Sequence, residues 1–113
     1  MALALNVFRT VTEIVPINPV GIYTAPVGYT GVVLLAQATN IDSSTYALSF
    51  SHQRTVAGIA VTTEIVKNFA IPGNDTVNLL SGKLVLESGD SLILSANNST
   101  SLKFIGSILE TLN

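Results

Sequence analysis

The sequence predicts an all-β chain: one domain over residues 1–113, folded as an antiparallel, jelly-roll-like β-sandwich of about 7–9 strands. Short runs of Val, Ile and Leu alternate with Ser, Thr and Asn, the pattern of strands with one buried face. Pro- and Gly-bearing turn signals separate these runs. Charge is scarce, with Asp, Glu, Lys and Arg only 11% of the 113 residues while 48% are hydrophobic. A typical soluble domain carries roughly 25% charged residues. So apolar a surface predicts that part of the molecule faces other protein.

The first strand runs from about Leu5 to Val15, with Val7, Arg9, Val11 and Glu13 on one face and Phe8, Thr10, Thr12 and Ile14 on the other. Pro16 and Pro19 end it, because proline cannot donate to a ladder. An extended piece, Gly21-Ile-Tyr-Thr24, leads into the turn Ala25-Pro-Val-Gly28. Thr30 to Asn40 carries a continuous Val-Val-Leu-Leu-Ala centre, which predicts a strand buried on both faces. After the turn at Asn40-Ile-Asp-Ser-Ser44, Thr45 to His52 alternates cleanly, with Tyr46, Leu48 and Phe50 inward.

Thr55 to Ile71 is long enough for a bent strand or for two short ones around Gly58, and Pro72-Gly-Asn-Asp75 is a strong turn. Thr76 to Ser81 reads as a short strand or an irregular connection. Lys83-Leu-Val-Leu-Glu87 and Ser91-Leu-Ile-Leu-Ser95 flank Ser88-Gly-Asp90, predicting a compact hairpin with glycine at a positive φ. In the last strand, Leu102 to Leu112, the residues Leu102, Phe104, Gly106 and Ile108 oppose Lys103, Ile105, Ser107 and Leu109. A helix over Ser107 to Leu112 is the rival, disfavoured by β-branched Ile105 and Thr111 and by the lack of a cap.

Composition excludes several functions. No cysteine is present, so disulfides and thiolate metal sites are ruled out. The formal net charge is −2, and Arg9, Arg54, Lys67, Lys83 and Lys103 lie far apart, so no basic patch for nucleic acid is expected. The longest apolar stretch, Val32 to Ala36, is too short to cross a bilayer as a helix, and no membrane partner is expected. The first residues lack a basic n-region, predicting synthesis and assembly in the cytoplasm rather than secretion.

Catalytic motifs are thin. His52 is the single histidine, which leaves one obvious general base and no multi-His metal site. No Gly-x-Ser-x-Gly elbow accompanies it. The plainer reading is a polar side chain at a strand end, next to Gln53 and Arg54 in a hairpin; a functional version of it has His52, Gln53 and Arg54 in polar contact with a neighbouring subunit. Glu87 and Asp90 flank one turn and could approach each other, but Asp at such turns commonly caps backbone N–H groups. Calcium near Asp75 or Asp90 would need roughly 6–8 oxygen ligands, more than the sequence gathers there. Tyr23 and Tyr29 are the candidates for stacking on a sugar. No cofactor is expected, and no enzymatic activity.

Ile22-Tyr-Thr-Ala-Pro-Val-Gly28, Thr30-Gly-Val-Val-Leu-Leu-Ala-Gln-Ala-Thr-Asn40, Phe69-Ala-Ile-Pro72, Leu80-Ser-Gly-Lys-Leu-Val-Leu-Glu-Ser-Gly-Asp90 and Ser107-Ile-Leu-Glu110 follow one another in the chain. In these words it resembles small virion structural proteins of marine cyanophage-type tailed bacteriophages. The resemblance implies a non-enzymatic sandwich subunit repeated around a symmetry axis, a homo-oligomer bound to other capsid or tail proteins of the virion. It carries over no catalytic residue. The apolar start, with Leu3 and Leu5 within residues 1–6, is expected to pack on a neighbouring subunit or, alternatively, to form the domain's own first strand. A receptor- or glycan-binding module of a tail fibre or tail tip is the competing function.

Overall fold

The computed structural model describes residues 6–113. These form nine strands and no helix: β1 (Asn6–Ile14), β2 (Val20–Thr24), β3 (Tyr29–Asn40), β4 (Tyr46–Val56), β5 (Ile59–Ile71), β6 (Thr76–Asn78), β7 (Leu84–Leu86), β8 (Ser91–Ala96) and β9 (Leu102–Leu112). One antiparallel sheet has the order β1-β9-β3-β6, with β7 also on β3, and the other has the order β2-β8-β4-β5. β6 pairs with residues 37–39 of β3 and β7 with residues 31–33. They are two halves of one strand position, interrupted at residues 79–83. The chain passes repeatedly from one sheet to the other, which gives the double Greek key of a jelly roll. The expected sandwich therefore forms, with strand number and class as the alternation foretold.

The core lies between the sheets. Val33, Ala36 and Ala38 of β3 and Phe104 and Ile108 of β9 are buried, as are Leu48 and Phe50 of β4 and Leu92 and Leu94 of β8. Phe50 and Phe104 meet across the sandwich, ring centroids 5.6 Å apart and tilted by 35°, a favoured aromatic arrangement. A Cβ on Gly106 would stand 3.0 Å from the Phe104 ring, so glycine there makes room for that ring. At one end, buried Asn40 donates through Nδ2 to the carbonyls of Ser44 and Ile71, at 2.6 and 3.0 Å. Gly73 packs against the Ser43 backbone so closely that a Cβ would meet the Ser43 carbonyl oxygen at 2.2 Å.

Several local expectations change. β3 is buried on its inner face alone. Its outer side leaves Leu34 exposed, and the apolar run arises where a bulge between Val33 and Leu35 shifts the register. The expected hairpin around Ser88-Gly-Asp90 is instead a crossing between sheets, since β7 pairs with β3 and β8 with β2 and β4. Gly89 does take the positive φ, at 88°. Gly58 ends neither a bent strand nor a short one. With Ala57 it forms the turn of the β4–β5 hairpin, so Thr55 and Val56 belong to β4. Consequently His52 lies in mid-strand rather than at a strand end. Residues 107–112 remain strand throughout, paired with β1 and β3.

Candidate functional site

Alternation in β4 turns Leu48, Phe50, His52 and Arg54 to the inner side. The β4–β8 register then sets His52 opposite Leu92 and Gln53 opposite Ser91, the residue after Asp90. The result is a polar cluster at one end of the sandwich. Arg54 donates through Nε to Asp90 Oδ1 (2.8 Å), and through Nη2 to Asp90 Oδ2 (2.6 Å) and to Glu87 Oε2 (3.0 Å). His52 Nε2 lies 3.0 Å from Asp90 Oδ2, and the Glu87 amide donates to the same oxygen at 2.9 Å. Asp90 is buried. The Arg54 hydrogen bonds hold its carboxyl well below the usual carboxylate range, against the opposing effect of burial, and His52 assists. The same bond to Asp90 raises the Arg54 guanidinium further.

A second buried carboxylate sits nearby in the fold. Glu110 continues the inner row of β9, and Tyr23 donates to it at 2.5 Å while Arg9 Nε approaches at 3.3 Å. Burial, then the bond to Glu110, pushes the Tyr23 hydroxyl upward from its ordinary value. This group ties β2 of one sheet to β9 and β1 of the other. The period-two row Leu102, Phe104, Gly106, Ile108, Glu110 was the signal that could have placed Glu110 inside.

The residues singled out in the sequence are thus partly brought together. His52 and Arg54 join Glu87 and Asp90, with His52 Nε2 and Arg54 Nε and Nη2 bonded within the subunit. Gln53 points to the opposite side and donates to Thr62 at 3.1 Å. Leu3 and Leu5 lie outside the described residues. Tyr23 is half-buried, its ring against Gly31, and Tyr29 opens β3, where its carbonyl accepts from Ser88 at 2.7 Å. Among the described residues no group of three or more His, Asp or Glu side chains could hold a metal ion. Around Asp90 the position of a cation is taken by Arg54. Asp75 Oδ1 accepts from the Thr76 amide at 2.8 Å, an ordinary turn contact.

The outer faces of the two sheets differ. The outer side of β2-β8-β4-β5 is mostly polar, with Ser49, Ser51, Gln53, Thr62, Glu64, Lys67 and Ser95, beside Pro19 and Ile93, around a shallow groove. The outer side of β1-β9-β3-β7 is apolar. The registers align Phe8, Leu109, Val32 and Val85 in one row across these strands, and Phe8 is 76% exposed. Ile14, Leu34 and Ile105 are exposed on the same side. Lys103 is the one charged side chain among the described strand residues on this face.

No protein-family model and no curated protein matches the chain. Solved structures do. It is similar to a chain of the infectious bursal disease virus particle, with a TM-score of 0.56 and 10% identity over 97% of this chain and 32% of that one. It is also similar to VP2 of the same virus in a subviral particle, with a TM-score of 0.54 and 11% identity over 96% of this chain and 33% of the other. The chain spans about a third of the length of these proteins. At such identities the likeness is one of fold: the jelly roll seen here is built like a domain found in a virus particle.

Proposed function

We propose that the chain is a non-enzymatic structural subunit of a virion, of the bacteriophage type, which self-associates and decorates or adapts the capsid or tail after assembly in the host cytoplasm. The observation that carries this reading is the outer face of the β1-β9-β3-β7 sheet. A continuous apolar row rimmed by Thr, Ser, Asn and Gln, with one charge, has the make-up of an interface: apolar centre, polar uncharged rim. A contiguous exposed apolar patch rimmed by polar residues marks sites of association. The jelly roll shared with a viral particle protein supports the same reading, as does the resemblance to small phage virion proteins. Against a catalytic role for His52, the carboxylate that orients it, Asp90, is also the ion-pair partner of Arg54, and no nucleophile is shown beside the ring among the described residues.

Size-exclusion chromatography with light scattering, followed by co-sedimentation with purified phage capsids and tails, tests the proposal. Concentration-dependent oligomers and co-sedimentation are expected. A chain that stays monomeric at every concentration and binds neither particle part overturns it.

A further inference from the structure

β8 stops pairing with β4 at Gln53. Beyond that point only β4 and β5 continue, through the pairs Arg54–Val61, Thr55–Ala60 and Val56–Ile59. The inner side of this ribbon continues the row that is core further back, at Leu48 and Phe50. Here none of the described residues covers it: Val56 is 58%, Ile59 68% and Val61 52% exposed. Residues 55–63 carry no charge, although they form the most exposed part of the sheet. The turn is made by Ala57 and Gly58, both at positive φ (52° and 79°), where Asn-Gly or Asp-Gly is the preferred pair. The tip therefore keeps a methyl group in a strained conformation rather than a polar side chain. Its root, in contrast, is fixed by Arg54 on Asp90 and Glu87. Two paired strands alone are marginal in water, so this attachment holds an apolar tip ready in one orientation.

We propose that this hairpin is a docking arm, and that its Val56–Ile59–Val61 side seats on the Phe8–Leu109–Val32–Val85 row of a second copy, head to tail. The inference rests on the self-associating subunit reading above and names its contact. The match is in charge and size. Beyond Arg54, which is held by Asp90 and Glu87 at the root, the arm is uncharged like the row, whereas the outer face of the other sheet is mostly polar and carries Glu64 and Lys67. The row spans about 14 Å, three strand spacings of about 4.8 Å, and the arm's three residue pairs extend about 10 Å at about 3.4 Å each. One seated arm buries less than the roughly 800 Å² a side of a standard interface. Head-to-tail geometry gives every copy two such contacts, one as donor and one as acceptor, and arrays of this kind close into rings or extend as lattices.

The absence of cysteine makes the test clean. Ile59→Cys and Phe8→Cys are prepared as separate single variants and oxidised alone or mixed. A disulfide-linked pair that contains one of each, formed in the mixture and weak or absent in either variant alone, is expected. Ile59→Cys linking efficiently to itself would set arms tip to tip and overturn the proposal. No linkage in a sample that light scattering shows to be assembled overturns it as well, and leaves the self-association reading standing. A wild-type chain that never assembles defeats that reading instead. The double variant Ile59→Asp/Val61→Asp, altered only at exposed positions, is expected to keep the wild-type circular dichroism and to weaken self-association at least tenfold. Unchanged association would likewise end the proposal.

Discussion

Asp90 gathers Arg54, His52 and the Glu87 amide around one buried carboxylate, and this gives the chain a defined acid response. Because the folded state holds the Asp90 proton less tightly than the unfolded one, its contribution is complete above the ordinary Asp value, about 3.9. It is lost as the pH falls through the lower folded value. Asp42 acts in the same direction, held below its ordinary value first by the Ser43 amide and then by Tyr46. Urea midpoints are therefore expected to stay level with respect to these groups from pH 7 to 5 and to decline below about pH 4. Asp90→Asn is expected to cost about 1–3 kcal/mol at pH 7, the penalty of leaving buried partners poorly matched. The gap to wild type should then narrow in acid, where the unfolded wild-type chain takes up the Asp90 proton that the folded chain resists. A gap that stays constant to pH 2 would mean that the charge of Asp90 contributes nothing.

At the level of elements, the proposed docking role of the β4–β5 hairpin would set association against stability. Ala57 at φ 52° occupies a left-handed region that costs a non-glycine residue roughly 1–2 kcal/mol. Ala57→Asn supplies the residue that this turn type prefers, and is expected to raise unfolding stability by about 0.5–1 kcal/mol in urea denaturation. The same change puts an amide on the arm's tip and should weaken self-association. β9 shows what one sequence makes legible: its strict alternation separates Leu102, Phe104, Gly106 and Ile108 from Lys103, Ile105, Ser107 and Leu109, and the structure keeps that division. β1 shows the limit. Each of its faces pairs two apolar residues with two polar ones, so periodicity could not tell that Phe8 and Ile14 face out while Arg9 turns toward Glu110. β7 and β8 looked like a hairpin because their true partners, β3 and β4, lie dozens of residues away and strand partnering leaves no local trace. The site was half visible for the same reason. Glu87 and Asp90 are neighbours in sequence, but the β4–β8 register that delivers His52 and Arg54 to them is a long-range property.

For the molecule as a whole, the difference between its two outer faces makes a prediction about its behaviour in solution. Binding between folded copies adds to the stability of each by mass action. If the apolar sheet face is covered in the assembly, the melting temperature should rise with protein concentration. A tenfold increase is worth at most about 1.4 kcal/mol per bound site, or about 4–8 °C in a domain of this size. Differential scanning calorimetry over a hundredfold range would show it, and a melting temperature independent of concentration would indicate that the folded copies do not associate.

The break between β6 and β7 has a bearing on what such an assembly can become. With residues 79–83 looped away, the margin of the β3 sheet offers passing chains only two short stretches of backbone, of three residues each. Unbroken borders are what allow strand-by-strand growth into amyloid-like fibres. In a protein so rich in valine, leucine and isoleucine and so poor in repulsive charge, the notch in the border thus guards that side against runaway polymerisation.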